Sequence, residues 1–121
     1  MWQQAVDSAA REDNYGGYIA EHGYASHTPA TDGQRVYAFF GKTGVVAFDM
    51  DGKTLWQTSV GTMSGNRRWG SAASPILHKD FVIVNAADEG RAIYGLDKAT
   101  GKVVWKAPAN RLELTYGTPL L

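Results

Sequence analysis

Short apolar runs, separated by turns rich in glycine and aspartate, recur along the chain. The clearest example is YGLDKATGKVVW, residues 94–105. Its apolar run leads into Asp97, whose carboxylate can accept hydrogen bonds from the backbone N–H groups ahead of it, and Gly101 can adopt positive φ without a Cβ clash. The β-branched and aromatic residues up to Trp105 suit a second strand. The pattern predicts an antiparallel β-hairpin.

The same order of residues occurs earlier in the chain. VAFDMDGKTLW, residues 46–56, carries an apolar run, then Asp49, Gly52 and a closing Trp56, with a turn one residue shorter. This tryptophan lies 49 residues before Trp105. A Ser/Thr-Pro step recurs at intervals of 46 and 44 residues, at Pro29, Pro75 and Pro119. Three markers with similar spacing indicate a repeat.

Each repeat predicts a meander of four short antiparallel strands, and such a meander recurring every ~45 residues is typical of a β-propeller blade. The strands are expected at 26–30, 35–40, 45–48 and 53–59, and again at 73–77, 81–85, 93–96 and 102–105. The fold is therefore expected to be all-β, a β-propeller fragment of about two four-stranded antiparallel blades plus flanking strands.

The repeats divide the chain into five predicted segments. They are the end of a preceding blade with a long connecting loop (1–25), blade one (26–61), a connecting loop (62–70), blade two (71–106), and a loop with the first strand of a truncated next blade (107–121). A blade has two apolar faces that its neighbours must cover, and the tryptophan that ends each repeat suits that layer, so Trp56 and Trp105 are expected to be buried between blades. Two blades cannot close a ring. We therefore expect either the remaining blades of a longer chain, which the stop within GTPLL favours, or self-association to close the ring.

Composition excludes several classes of function. Twelve Lys+Arg balance 12 Asp+Glu, so charge gives no reason to expect nucleic acid or an anionic membrane as a partner. The absence of cysteine excludes disulfides, thiolate metal sites and cysteine nucleophiles. No apolar run approaches the ~20 residues of a membrane span.

The repeat blocks resemble a known family. SHTPATDGQRVYAFF, VAFDMDGKTLW, SAASPILHKDFVIVN and YGLDKATGKVVW are similar to the pyrroloquinoline-quinone (PQQ)-like propeller repeat. That repeat is found in quinoprotein alcohol dehydrogenases, in outer-membrane protein assembly factor B, and in bacterial PQQ-binding-like propeller proteins in which it is structural. The resemblance implies a ring of seven or eight blades and a periplasmic or other extracytoplasmic location.

Equivalent connections of a repeat protein lie together, so the three long connections, 5–25, 62–70 and 107–116, should share one face. This face is a candidate binding surface for a protein or carbohydrate, because Arg, Tyr and Trp dominate binding hot spots. Its candidate residues are Tyr24, His27, Arg67, Arg68, Trp69, Arg111 and Tyr116. The competing interpretation is that the aromatic residues only pack the loops onto the blades.

Other polar residues favour structural roles. Asp49 and Asp97 recur at one repeat position, which indicates turn formation rather than catalysis. Asp88 and Glu89 lack the spacing of an EF-hand calcium loop, and no His/Asp/Glu group has metal-ligand spacing. His27 adjoins a first strand, which would line the central channel, although a structural histidine is the simpler interpretation.

Two functions from different classes remain. The leading one is a non-catalytic propeller module that acts as a binding or assembly scaffold. The alternative is part of a PQQ-dependent quinoprotein dehydrogenase, whose cofactor and calcium residues would lie mostly outside this chain. For that enzyme the resemblance implies PQQ, a calcium ion and usually a vicinal cysteine pair. The sequence contains no cysteine and no evident acidic calcium site, so the enzyme is disfavoured.

Overall fold

A computed structural model describes residues 1–8, 11, 13, 26–112 and 116–120. These residues form two four-stranded antiparallel sheets, each with its strands in chain order. The first sheet contains β1 (Ala30–Thr31), β2 (Arg35–Phe39), β3 (Val45–Asp49) and β4 (Thr54–Thr58). The second contains β5 (Ile76–His78), β6 (Phe81–Ala86), β7 (Ala92–Asp97) and β8 (Val103–Pro108). The prediction of an all-β fold with two four-stranded blades is confirmed.

Short helical turns join the second and third strands of each sheet. A 3₁₀ turn, Gly41–Thr43, connects β2 to β3, and one helical turn, α1 (Ala87–Gly90), connects β6 to β7. Within the described part of the chain, no helix has the length and apolar character that crossing a membrane requires.

The first strands begin later than the sequence predicts, at Ala30 and Ile76 instead of residues 26 and 73. The residues before them bond to the neighbouring repeat. The Thr28 N–H donates to Ser74 Oγ at 2.9 Å, and the Ser74 N–H donates to Thr118 Oγ1 at 3.2 Å. The Ser/Thr-Pro steps therefore link successive repeats.

The core lies between the two sheets. It joins apolar side chains of β2 and β3 to those of β6 and β7, among them Tyr37, Phe39, Val45, Val82, Val84 and Leu96. These side chains are at most 1 % exposed, and burial of each contributes roughly 2 kcal/mol. A smaller cluster of Ala38, Val46 and Phe48 covers the opposite face of the first sheet, where Val6 packs against it.

A tryptophan packs on the turn glycine of the following repeat at two places. Trp2 covers Gly52, where an added Cβ would lie 2.4 Å from the indole, and Trp56 covers Gly101, where the distance would be 2.5 Å. Both glycines have positive φ, 86° and 72°. Each indole N–H donates to the carbonyl of the residue after the turn aspartate, at 2.9 and 3.0 Å. The glycine thus provides both the turn and the flat surface for the ring.

Trp105 differs from Trp2 and Trp56 because it does not pack on the turn glycine of a following repeat. It lies over Gly95 of its own sheet and is 37 % exposed, in contrast with the burial between blades expected for it. Its indole N–H has no hydrogen-bond partner among the residues that the structure describes. The reason is that the described residues contain no third turn equivalent to those at Gly52 and Gly101.

The repeated aspartates hold the turns that connect the third and fourth strands. Asp49 Oδ1 accepts from the N–H groups of Asp51 and Lys53, at 3.0 and 2.9 Å. Asp97 Oδ1 accepts from the Thr100 hydroxyl and the Thr100 N–H, both at 2.8 Å. These bonds from Thr100 hold the pKa of Asp97 below its usual range. The contacts are those of the expected turn-forming role.

Candidate functional site

The described candidate residues of connection 62–70 lie at one end of the sheets. In an antiparallel meander the turn between strands two and three shares an end with the connection that follows strand four. The 3₁₀ turn at Gly41, helix α1 and connection 62–70 therefore come together. The Met63 N–H donates to the Glu89 carbonyl at 3.0 Å, which fixes this connection on α1.

Residues from two separate connections form an aromatic stack at this end. The ring centroids of Trp69 and Tyr116 are 6.5 Å apart, with planes inclined by 23°. The Arg67 guanidinium lies 4.9 Å from the Trp69 ring, a cation–π arrangement. We call Arg67, Trp69 and Tyr116 the aromatic stack. Arg67 and Tyr116 are exposed, so the stack forms part of the surface.

Arg68 stands between two members of the aromatic stack, Arg67 and Trp69. It closes a turn in which its N–H donates to the Gly65 carbonyl at 2.9 Å. Its φ is 55°, in the left-handed region that costs an L residue roughly 1–2 kcal/mol. Arg67 and Arg68 are both exposed, and neither forms an ion pair within the described part of the chain. Both side chains are exposed, although the charge of Arg68 already acts on Asp13 and helps to lower the pKa of that carboxyl group.

The structure does not unite all the predicted surface residues. Arg111 is exposed, and no hydrogen bond or ion pair among the described residues joins it to the aromatic stack. Tyr24 lies outside the described residues. His27 is buried and belongs to a different group of contacts.

His27 packs against Phe39, with ring centroids 4.6 Å apart, and is only 7 % exposed. Its Nε2 lies 3.2 Å from Ser71 Oγ, and the Ser71 hydroxyl donates to Glu89 Oε1 at 2.7 Å. Since that hydroxyl proton points at Glu89, His27 donates from Nε2. Burial lowers the pKa of His27 to about 4, so the ring is neutral and structural at neutral pH.

Sequence reasoning missed the importance of Glu89. This side chain is 2 % exposed, and burial raises the pKa of its carboxyl group. An added Cβ at Gly61 would lie 2.1 Å from the Glu89 carbonyl oxygen, which shows how closely the two backbones pack. No local sequence signal marks this glutamate as buried, because the residues that cover it come from the preceding repeat.

A second buried group of charges ties the connections to blade one. Lys42 Nζ lies 3.0 Å from Asp13 Oδ1 and donates to Ser64 Oγ at 2.9 Å. The Ser64 hydroxyl donates to Asp13 at 2.9 Å, and Arg91 Nη2 donates to the Ser64 carbonyl at 3.1 Å. Burial alone would raise the pKa of Asp13, but the hydrogen bonds from Ser64 and Lys42 hold this pKa below its usual range. These contacts make the loop end rigid.

A polar cleft of about 380 Å³ lies at the opposite end, between the two sheets. It is lined by Asp32, Gln34, Arg35, Asp80, Asp97, Lys98 and Ala99. Lys98 Nζ lies 3.5 Å from Asp32 Oδ2 across the gap. No sequence pattern indicates this cleft, since its walls come from turns of different repeats.

Among the described residues, no group of three His, Cys, Asp or Glu side chains could hold a metal ion. In the dehydrogenase alternative the calcium and cofactor residues lie mostly outside this chain.

A family model described as "Outer membrane protein assembly factor BamB" matches residues 1–115. The chain belongs to this BamB-like family. The match extends over both sheets, and the PQQ-like propeller repeat inferred from the sequence is confirmed. Among curated proteins, no sequence matches the chain.

The solved structures that match include that of BamB from Moraxella catarrhalis. The identity is 23 %, the match covers 64 % of this chain, and the TM-score is 0.49. The BamB-like chain spans 22 % of the length of that structure.

Proposed function

We propose that this chain is a non-catalytic propeller module that serves as a binding or assembly scaffold. The loops at one end contact a protein or saccharide partner. The observation that carries the proposal is the aromatic stack, since Trp69 and Tyr116 come from different connections and Arg67 lies over one of the rings. A surface assembled from two connections depends on the stacking of the repeats, as a scaffold requires.

The chemistry of this surface suits a partner that carries carboxylates. A guanidinium packed on an aromatic ring loses little further freedom on binding, and its fork can hold a carboxylate in bidentate fashion. A protein partner is favoured over a saccharide for this reason.

The family description supports an assembly role and an extracytoplasmic location for the chain. It names an outer-membrane assembly factor, and such a factor works on other proteins outside the cytoplasm. Both inferences come from the description of the family rather than from any contact in this structure.

Binding to the stack can be tested with an Arg67→Ala/Arg68→Ala variant. Wild type and variant would be applied to an acidic-peptide array and to a glycan array. We expect peptide binding that weakens roughly 10- to 100-fold in the variant and decreases with added salt, since two charge-assisted contacts are lost. Peptides bound by wild type would then be measured by calorimetry.

The matched control is Lys53→Ala/Lys102→Ala, which removes the same charge from exposed turns at the opposite end. It should bind like wild type. Selection of glycans alone would transfer the proposal to a saccharide. Equal binding by wild type and the arginine variant, on both arrays, would refute a binding role for this surface.

The dehydrogenase alternative has its own direct test. PQQ and calcium would be added together to the purified chain, with the melting temperature and the quinone absorbance recorded. We expect no change in either. A ligand at 100 times its Kd stabilises a protein by about 2.7 kcal/mol, so binding would be visible as a clear shift in melting. Such a shift would favour the enzyme.

A further inference from the structure

Glu89 bonds to both ends of the connection that carries two members of the aromatic stack. Its main-chain carbonyl accepts from the Met63 N–H at 3.0 Å, near the start of connection 62–70. Its Oε1 accepts from the Ser71 hydroxyl at 2.7 Å, just past the end of that connection. Trp69 lies between these two bonds in the sequence. One residue of helix α1 thus fixes both ends of the segment that forms the proposed binding surface.

The neighbours of Glu89 pack on the same connection. An added Cβ at Gly65 would lie 2.6 Å from Asp88 Oδ2, so the backbone of the connection passes directly over that carboxylate. Arg91 Nη2 donates to the Ser64 carbonyl at 3.1 Å. The connection belongs to no helix or strand, so contacts of this kind set its position.

The carboxyl group of Glu89 has little room for water. The residue is 2 % exposed, and the cavity that it lines together with Asp13, Lys42 and Ser71 has a volume of about 10 Å³, enough for about one water molecule at most. An ionised carboxylate without hydration is unfavourable, and burial is the main cause of the raised pKa of Glu89. Ionisation therefore favours an arrangement that uncovers this group.

The charges around Glu89 do not offset this cost. The charge of Asp88, the preceding residue, raises the pKa of Glu89 further. Lys42 faces the same cavity, but its Nζ is paired with Asp13 at 3.0 Å. Arg91 donates through Nη2 to a main-chain carbonyl of the connection.

Two further titratable side chains near this group stay neutral. His27 is reached through the Ser71 hydroxyl, and burial lowers the pKa of its ring to about 4. Tyr116 interacts with the charge of Asp88, and burial raises the pKa of its hydroxyl above 10. Neither side chain changes its charge between about pH 5 and about pH 8.

We propose that Glu89 is a positioning residue for the aromatic stack: it holds connection 62–70 at both ends, and opening of the connection releases the proton of the buried carboxyl group. The open arrangement breaks the bonds to Met63 and Ser71, so Trp69 loses its fixed position. A rising pH therefore increases the fraction of open chains, and binding weakens as the closed fraction falls. The role in binding rests on the function proposed above, whereas the opening is a property of the free chain.

Amide hydrogen exchange of the free chain tests the opening. The probe is the Met63 N–H, and its control is the Lys98 N–H, which donates to the Asp80 carbonyl at 2.8 Å at the opposite end of the sheets. In wild type the protection factor of Met63 should fall by up to about 10-fold for each pH unit above 4.5, until the pH reaches the folded pKa of Glu89. The protection factor of Lys98 should stay constant.

Two variants identify the group that releases the proton. Glu89→Gln keeps an acceptor for the Ser71 hydroxyl but cannot ionise, so the protection factor of Met63 should become independent of pH. Asp88→Asn is the matched control, because it removes one carboxylate from the same helix and should keep the pH dependence.

Peptide binding tests the positioning role. Glu89→Ala removes the bond to Ser71, so the affinity for an Asp/Glu-rich peptide that wild type binds should fall by about 10-fold or more, the effect of losing a hydrogen bond to a charged group. Glu89→Gln keeps the acceptor and should bind the peptide within about twofold of wild type.

The two measurements separate this inference from the proposed function. Hydrogen exchange with the expected pH dependence, but no peptide bound, would refute the binding role and leave the positioning role standing. Peptide binding together with a protection factor of Met63 that is constant in wild type would overturn the inference alone, without the need for any variant to fold. A Glu89→Gln variant that keeps the wild-type pH dependence would overturn it as well.

Discussion

Replacement of Trp56 by alanine is expected to lower the free energy of unfolding by about 3 kcal/mol, within the range for a large aromatic residue. Trp56 connects the two sheets: its ring lies against Gly101 and is 6.0 Å from the Tyr37 ring, and its N–H donates to the Lys98 carbonyl. The truncation removes apolar contacts and leaves a carbonyl without its donor.

Trp105→Ala provides the comparison with identical side-chain chemistry. Trp105 is 37 % exposed and has no indole hydrogen bond in the described part of the chain, so its loss should cost only about 1 kcal/mol. Urea unfolding followed by far-UV circular dichroism avoids the change in fluorescence. Equal costs at the two tryptophans would contradict the assigned packing.

Gly101→Ala extends the comparison through a double-mutant cycle with Trp56→Ala. In wild type the new Cβ meets the indole and residue 101 is also held at φ of 72°, whereas in the Trp56→Ala background the backbone strain and the close approach to Thr58 Oγ1 remain without the clash with the ring. We therefore expect the glycine substitution to cost at least about 1 kcal/mol less in the variant, a typical coupling for residues in contact. Additive costs would show that the ring and the glycine do not touch.

The features of the fold that the sequence predicted are those that recur in it. Trp56 and Gly101 belong to a phrase that appears twice, and their contact follows once the repeats are stacked. The tryptophan 49 residues later ends the second copy of that phrase, but its environment depends on a further turn that the described residues do not contain. Local pattern fixed the strand, whereas burial depended on what packs against it.

The candidate site was predictable only in part for a similar reason. Because equivalent connections of a repeat protein lie together, Trp69 and Tyr116 were predicted on one face. In the structure their rings are stacked. The repeat pattern could not predict the ion pair between Lys42 and Asp13, because the loops that carry these two residues are not repeated in sequence. The turn that carries Lys42 corresponds to the one that carries Glu89, so opposite charges stand at equivalent positions and no common pattern marks them.

Stability is expected to decrease as the pH falls from about 6.5 to about 4, with His27 as the cause. In the folded chain burial lowers the pKa of His27 to about 4, while the unfolded residue titrates near 6.5. The unfolded state therefore binds more protons in this window. The stabilisation is complete above pH 6.5 and is lost as the pH falls through the folded pKa, by about 3 kcal/mol at most.

Glu89 acts in the opposite direction. Burial raises its pKa in the folded chain above the ordinary value of 4.5, so the folded state binds the extra proton. Its stabilising effect is complete below pH 4.5 and is lost as the pH rises through the folded pKa. Asp13, Asp32 and Asp97 have folded pKa values below 3.8, so they titrate at lower pH than this window.

Two variants separate the opposing effects, measured as urea unfolding at pH values from 4 to 8. Glu89→Gln removes the opposing effect of Glu89 and keeps that of His27. The free energy of unfolding should then decrease by up to about 1.4 kcal/mol for each unit by which the pH falls, the value for one proton. His27→Gln can still donate to Ser71 and should reverse the trend, so that stability increases as Glu89 is protonated. An unchanged decrease in His27→Gln would show that another group titrates there, and His27 would not be the buried neutral ring that its contacts with Phe39 and Ser71 indicate.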